Sequence, residues 1–149
     1  MSDRALGHLD AGTHVMPVRV YWEDTDGSGI VYYANYLRFI ERARSDLLRL
    51  AGIDQRGLLD REGIAFVVRR CEVDYLSPAR LDDDLTIRTG ISESRGASMV
   101  MLQSVWRGAG ELVRATVRLA CLNRAGRPQR LPAGVVTALA TLSPNLSAI

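Results

Sequence analysis

The sequence contains no lysine, only two cysteines and only two histidines among its 149 residues. Its basic residues are therefore 19 arginines, and against 17 acidic residues they leave a net charge of +2, which by itself does not indicate nucleic-acid binding. We interpret the absence of lysine as a composition bias. Cys71 and Cys121 form no C-x-x-C motif and stand beside no histidine pair, which excludes the common zinc spacings and a disulfide framework. Both are predicted to be buried free thiols, because each lies in an apolar run typical of a strand.

Both histidines, His8 and His14, fall in the polar stretch of residues 1–14, which is predicted to be a flexible arm. A Ser-His-Asp or Cys-His mechanism therefore lacks a base in the rest of the chain. The sequence also has no G-x-S-x-G elbow, no dinucleotide fingerprint and no phosphate-binding loop. Carboxylates remain as the candidate reacting groups, and neither a metal nor a cofactor is predicted.

Long apolar runs are absent as well. No run approaches the roughly 20 residues that a membrane-spanning helix needs, and the N-terminus lacks the apolar core of a signal peptide. The protein is therefore predicted to be soluble and cytoplasmic. The length fits about one domain, and the 47% of hydrophobic residues argues against disorder. We expect a flexible arm over residues 1–14, a single domain over 15–133 and a C-terminal tail over 134–149.

The longest helical pattern covers residues 33–51. Its start is ambiguous, because Tyr32 or Tyr33 suits the first turn while Asn35 suits an N-cap, and Gly52 suits its end. The side chains predicted to face the core are Tyr33, Leu37, Ile40, Arg44, Leu47 and Ala51, widened by Tyr36, Ala43 and Leu50.

One strand is predicted before this helix and four after it, joined by short connections. Alternating apolar residues place them at 16–22, 64–75, 85–91, 98–107 and 113–121. A change of phase near Arg69–Cys71 predicts a β-bulge. A sheet with one apolar face must bury that face, and only the 33–51 helix is long and apolar enough to cover it. The predicted fold class is therefore α+β, with an antiparallel sheet curled around a central helix.

Two carboxylates, Asp24 and Asp26, stand in the glycine turn D-T-D-G-S-G just before the helix. The first N–H groups of a helix lack intrahelical partners and carry partial positive charge, so they can polarise a carbonyl and hold an oxyanion. A carboxylate there stays ionised and can act as nucleophile or activate a water. The same residues equally suit an ordinary turn in which Asp caps the helix, so the pattern alone leaves both interpretations open.

The run Y-W-E-D-T-D-G-S-G-I-V-Y-Y-A-N-Y-L-R-F-I-E-R-A-R resembles the signature of the hotdog-fold acyl-CoA thioesterases. In particular it resembles the branch associated with the Tol–Pal system, next to the 4-hydroxybenzoyl-CoA thioesterases. The resemblance continues through F-V-V-R-R-C-E-V-D-Y-L-S-P-A-R-L-D-D-D-L and R-G-A-S to N-R-A-G-R-P. It implies the hotdog fold and hydrolysis of a small or medium acyl-CoA.

The resemblance also implies roles for individual residues. Asp26 is expected to be the catalytic carboxylate, and the backbone N–H of Tyr33 is expected to polarise the thioester carbonyl, which favours the earlier helix start. Many relatives of this branch have histidine where this chain has Tyr33, and the substitution keeps the backbone donor but removes an imidazole. The residues expected to bind substrate are Gly29, Tyr32 and Asn35 beside the turn, with Arg69 and the pair Arg95 and Gly96 for the phosphates of coenzyme A.

Relatives of this kind join the sheets of two subunits, so a homodimer or homotetramer is expected in which each site borrows from both chains. The apolar series Met99, Met101 and Val105 either lines such a join or belongs to the core. Two other functions remain open. One is a different acyl-thioester enzyme on the same fold, although a dehydratase lacks its His–Asp pair here. The other is a non-catalytic acyl-CoA-binding protein or a partner of envelope or lipid-metabolism proteins.

Overall fold

The computed structural model describes residues 4–142. The predictions for residues 1–3 and 143–149 lie outside this range. Six strands and three α-helices follow one another, and none of the helices in the described part of the chain is long and apolar enough to cross a membrane. In chain order the elements are β1 (His8–Asp10), β2 (Thr13–Arg19), α1 (Asn35–Leu50), α2 (Gln55–Glu62), β3 (Ala65–Tyr75), β4 (Asp84–Arg95), β5 (Ser98–Arg107), β6 (Gly110–Leu122) and α3 (Ala133–Leu139).

The six strands form one antiparallel sheet with the order β1-β2-β4-β5-β6-β3. The predicted antiparallel sheet is thus confirmed, but the four strands after α1 are not a simple meander. β3 pairs with β6 at one edge, and the chain then crosses to β4, which pairs with β2. The predicted bulge is also confirmed, because the register of β3 shifts between Val68 and Arg70.

Helix α1 fills the concave face of the sheet and supplies much of the core. Phe39, Ala43 and Leu47 are almost completely buried, since this face of the helix lies against the sheet. Three side chains predicted to face the core are instead exposed, namely Tyr33 at 62%, Leu37 at 42% and Leu50, at the end of the helix, at 38%. The reason is that the helix begins only at Asn35, and the flank that carries Leu37 lies beside the open edge strand β3.

The N-terminal segment is not the flexible arm that its polar composition predicted. Strands β1 and β2 form a hairpin, and His14 is fully buried. Its Nε2 lies 2.7 Å from Oδ2 of Asp46 on α1, and the same carboxylate accepts hydrogen bonds from the N–H groups of Leu6 and Gly7. One carboxylate of α1 therefore binds two backbone N–H groups and the buried histidine of this segment, which holds the segment against the helix.

The burial of other side chains confirms some of the predictions and corrects others. Met99, Met101 and Val105 are almost completely buried and belong to the core. Cys121 is buried as predicted, but Cys71 is exposed, because it lies on the edge strand β3. Helix α3 packs two side chains of the predicted tail, Val135 and Leu139, into the core. The domain therefore extends beyond residue 133.

Candidate active site

A tight turn positions Asp26 at the end of the sheet. The N–H of Asp26 donates to the carbonyl of Ile30 at 3.0 Å, so the chain reverses over four residues. Gly27 and Gly29 have φ angles of +90° and +89°, a conformation that favours glycine. The turn is tied to the connection before β4, because the N–H of Leu81 donates to the carbonyl of Gly29 at 2.9 Å. The turn is therefore held by its own hydrogen bond and by the connection before β4.

Asp24 is a capping residue rather than a free carboxylate. Its side chain is 9% exposed and accepts a hydrogen bond from the N–H of Tyr21 at 2.8 Å. Its carbonyl oxygen accepts from the N–H of Tyr32 at 2.9 Å and from the side-chain amide of Asn35 at 2.8 Å. Asp24 and Asn35 thus join the acidic turn to the start of α1, and the two carboxylates of the motif have different roles.

Asp26, by contrast, has an exposed carboxylate. Its Oδ1 accepts hydrogen bonds from the hydroxyl and the backbone N–H of Ser28. These bonds, the hydroxyl first, hold the pKa of Asp26 below its usual value, because they stabilise the ionised form. No hydrogen bond from residues 4–142 reaches Oδ2. At neutral pH the turn therefore presents an ionised carboxylate with one oxygen free for a substrate or a water.

Tyr33 lies in the turn between Asp26 and α1. The helix begins at Asn35 with Ala34 as its N-cap, so both predicted starts were wrong by one or two residues. The backbone N–H of Tyr33 has no hydrogen-bond acceptor within residues 4–142, while its carbonyl accepts from the hydroxyl of Tyr75 at 3.2 Å. An unpaired N–H just before a helix is suited to polarise a carbonyl.

An aromatic cluster surrounds this unpaired N–H. The ring of Tyr33 lies 5.0 Å from that of Tyr32 and 6.1 Å from that of Tyr75, measured between centroids. Tyr36 packs 5.7 Å from Tyr75, and its hydroxyl accepts from the N–H of Ala79 at 2.8 Å. Sequence reasoning missed Tyr75, because only the pairing of β3 with β6 brings this residue to the start of α1.

Comparison with known proteins decides the family. The model of the thioesterase superfamily matches residues 28–114. The chain belongs to the thioesterase superfamily. It is 46% identical over 107 residues to the acyl-CoA thioesterase YbgC of Haemophilus influenzae, which covers 72% of this chain and 79% of the relative.

Solved structures of the thioesterase superfamily have the same fold. A probable thioesterase from Bartonella henselae superimposes with a TM-score of 0.77 at 44% identity and covers 80% of this chain and 99% of its own. An Asp-to-Asn mutant of 4-hydroxybenzoyl-CoA thioesterase, complexed with 4-hydroxybenzoyl-CoA, gives a TM-score of 0.79 at 27% identity over 87% of this chain and 99% of its own. The antiparallel sheet around α1 is thus the hotdog fold that the sequence resemblance implies.

Within this thioesterase fold, the predicted site residues fall into two groups. Asp26, Gly29, Tyr32, Tyr33 and Asn35 share the turn before α1. The remaining three, Arg69, Arg95 and Gly96, lie elsewhere.

Arg95 and Gly96 form the turn between β4 and β5 at the other end of the sheet. β4 begins at Asp84 beside the end of β2, and Arg95 is eleven residues further on, which is roughly 36 Å along a strand. Arg95 is exposed and forms an ion pair with Glu93 at 2.8 Å. Arg69 lies at the bulge of β3, between the Arg95 end of the sheet and the end that contains Asp26, and it is also exposed. Within one chain, these arginines and Asp26 therefore do not share a pocket.

One cavity lies close to the turn before α1 but does not include the carboxylate of Asp26. A cavity of about 790 Å³ lies between β2 and α1, and its lining includes Asp24 but neither Asp26 nor Tyr33. Among residues 4–142, no three His, Cys, Asp or Glu side chains lie together as a metal-binding group. The turn that contains Asp26, which we call the reacting turn for its proposed role, is thus an open surface feature of the single chain.

Proposed function

We propose that this chain hydrolyses acyl-CoA thioesters, with Asp26 as the reacting carboxylate and the backbone N–H of Tyr33 as the group that polarises the carbonyl. Acyl-CoA thioester hydrolysis is the activity named for the curated relatives of 44–46% identity. The observation that carries the residue assignment is the pairing, in one short turn, of an ionised carboxylate with an unpaired N–H. A small or medium acyl group is the proposed substrate class.

The chemistry needs no strong general acid. The N–H of Tyr33 donates to the thioester oxygen and stabilises the negative charge that forms on attack. Asp26 either attacks the carbonyl carbon or removes a proton from the attacking water. The carbon–sulfur bond then breaks, and coenzyme A leaves as a thiolate that is a weak base. After direct attack the acyl group is held on Asp26 as an anhydride, which a water molecule hydrolyses to release the acid and restore the carboxylate. The hydrogen bonds from Ser28 lower the pKa of Asp26 further below neutrality, so the carboxylate stays ionised to lower pH.

Replacement of Asp26 tests this assignment. Asp26→Asn keeps the size and shape of the side chain but replaces one carboxylate oxygen with an amide nitrogen, which removes its charge and basicity. We expect kcat for an acyl-CoA to fall by about 100-fold or more, the usual scale for a general base. Thiol release is followed with a thiol reagent over a panel of acyl-CoAs. Asp60→Asn, an exposed carboxylate on α2, is the matched control and should keep wild-type turnover. Near-normal turnover by Asp26→Asn would contradict the assignment.

The assembly and setting of the enzyme are also proposals. We propose a cytoplasmic homodimer or homotetramer that is associated with the Tol–Pal system or with envelope or lipid-metabolism proteins, as the sequence resemblance implies. Support for pairing comes from β3, an edge strand whose residues are mostly exposed. Binding of the phosphates of coenzyme A by Arg69, Arg95 and Gly96 likewise stays a proposal, and for Arg95 it requires a second chain. Light scattering and affinity capture with the full chain test these points.

A further inference from the structure

A buried cation lies on α1 away from the reacting turn. The guanidinium of Arg44 is 9% exposed, and its one described hydrogen bond runs from Nη1 to Oε1 of Gln103 at 3.0 Å. The Nε2 of Gln103 in turn donates hydrogen bonds to the carbonyl of Ile40 and the hydroxyl of Thr89. No carboxylate within residues 4–142 forms an ion pair with Arg44. A guanidinium has five N–H donors, so most donors of Arg44 have no partner within residues 4–142 and are left to solvent at the cavity surface.

These free donors open on a cavity of about 300 Å³ between α1 and the sheet. Its walls are mainly apolar and come from α1, β3, β5 and β6, and the polar groups in the lining belong to α1 and α2. The volume is in the range of small-molecule sites, in which a few polar groups fix the orientation of an otherwise apolar ligand. The apolar lining consists of Leu48, Phe66, Val67, Val68, Met99, Met101 and Leu119, and the polar lining of Glu41, Arg44, Ser45 and Gln55.

A strip of exposed apolar side chains connects the cavity with the reacting turn. Tyr33 lies just before α1 and Leu37 in its first turn, and Tyr75 of β3 contacts Tyr33; their exposed fractions are 62%, 42% and 47%. Further along β3, burial raises the pKa of the Cys71 thiol, and the thiol is close enough to Arg44 for the guanidinium to oppose this shift in part. Arg44 is eleven residues beyond Tyr33, which is roughly 16 Å along a helix axis. A medium-length acyl chain attached at the turn would therefore lie along this strip.

We propose that the cavity holds the far end of the acyl group and that Arg44 selects chains with an oxygen acceptor at that end. The proposal rests on the proposed hydrolysis at Asp26, because it requires the thioester to lie at the reacting turn. An acyl end that fills the cavity displaces solvent from the donors of Arg44; a carboxyl or hydroxyl oxygen replaces that partner, whereas a methyl end does not. Glu41, the one acidic residue in the lining, is exposed, so solvent screens its charge.

The affinity of the wild-type cavity is measured without turnover. Three acyl-CoAs of equal chain length, ending in a methyl, a hydroxyl or a carboxyl group, are titrated into the Asp26→Asn protein by calorimetry. We expect Kd for at least one of the two oxygen-bearing chains to be lower by about tenfold or more, the scale of a hydrogen bond to a charged group. Equal Kd values for all three would overturn the proposal. Turnover of the same compounds by the wild type is recorded separately, so a failure of the hydrolase assignment shows as absent thiol release instead.

A substitution then assigns the preference to the side chain. Arg44→Met keeps the long apolar stem and removes every donor, so it should abolish the oxygen preference while the methyl-ended chain binds as before. Arg42→Met, on the exposed side of α1, is the control and should keep the preference. If Arg44 only ties the helix to Gln103, Arg44→Met lowers the melting temperature but leaves the Kd ratio unchanged, which would contradict the proposal. The affinity ratio of the unsubstituted cavity decides the question even if Arg44→Met fails to fold.

Discussion

The motif D-T-D-G-S-G contains two carboxylates, and a single hydrogen-bond pattern separates their roles. Asp24 is buried and its side chain accepts from a backbone N–H, so it fixes the chain. Asp26 is exposed and its partner is the side chain and backbone of Ser28. Ser28 is therefore the residue that sets the protonation of the proposed reacting group, a role that nothing in its sequence position indicates.

Removal of the Ser28 hydroxyl should shift the pH dependence of the reaction. Ser28→Ala leaves only the backbone N–H on Oδ1, so the pKa of Asp26 rises toward its usual value. Because the reaction needs the ionised carboxylate, activity is lost as the pH falls through this pKa, and the acidic limb of kcat/KM moves to higher pH. Activity at neutral pH changes little. The profile is compared with that of Ser77→Ala, an exposed serine away from the turn. An acidic limb at the wild-type position would exclude this role for Ser28.

At the scale of elements, features formed by neighbours in the sequence could be predicted, whereas contacts between distant elements could not. The turn and the long helix follow one another in sequence, so Asp26, Tyr33 and the core face around Ile40 were predictable from pattern and resemblance. Tyr75 was not, because only the pairing of β3 with β6 places it beside Tyr33. The prediction of a flexible N-terminal arm was wrong for the same reason. The N–H groups of Leu6 and Gly7 donate to Asp46, which is far away in sequence on α1.

Asp46 fastens the β1–β2 hairpin to α1, so its replacement should destabilise the fold. Asp46→Asn removes the charge and one acceptor from a group that serves Leu6, Gly7 and His14. We expect a loss of about 2 kcal/mol or more in the free energy of unfolding, because buried polar partners are left unsatisfied. Urea denaturation measures it, with Asp60→Asn as the exposed control. Equal midpoints for the two variants would show that the hairpin does not depend on this carboxylate.

The buried pair should also make the wild-type protein sensitive to acid. Burial lowers the pKa of His14, and the bonds to Leu6, His14 and Gly7 lower that of Asp46. For both groups the unfolded chain binds protons more readily, so stability present at neutral pH is lost as the pH falls below the ordinary histidine pKa. The Asp46→Asn variant should lose more stability than the wild type just below the ordinary histidine pKa, because Asp46 no longer raises the pKa of His14, and less below the ordinary aspartate pKa, because the variant lacks that carboxylate. Urea midpoints at several pH values measure both effects. Parallel pH dependences of the two proteins would contradict this account.

At the scale of the whole molecule, the Asp26 turn and the Arg95–Gly96 pair lie at opposite ends of one sheet, with Arg69 between them on β3. Strand β3 begins at the end that contains Arg95, since Val67 pairs with Ala120, which pairs with Ser98. It finishes at Tyr75, beside the reacting turn. A two-fold axis that pairs two β3 strands in antiparallel fashion would therefore bring the Arg95 end of one chain to the reacting turn of the other.

Mixing two inactive variants tests this arrangement directly. Asp26→Asn lacks the reacting carboxylate, and Arg95→Ala is expected to bind acyl-CoA poorly. If each site takes Asp26 from one chain and Arg95 from its partner, a mixed dimer contains one intact site, formed by Asp26 of one variant and Arg95 of the other. Random exchange of subunits should then restore about a quarter of wild-type activity at low acyl-CoA, because half of the dimers are mixed and each has one working site. Mixing after chemical cross-linking, which prevents exchange, should restore nothing. A site formed within one chain gives no recovery in either case, because every Asp26 would then stand beside a missing Arg95.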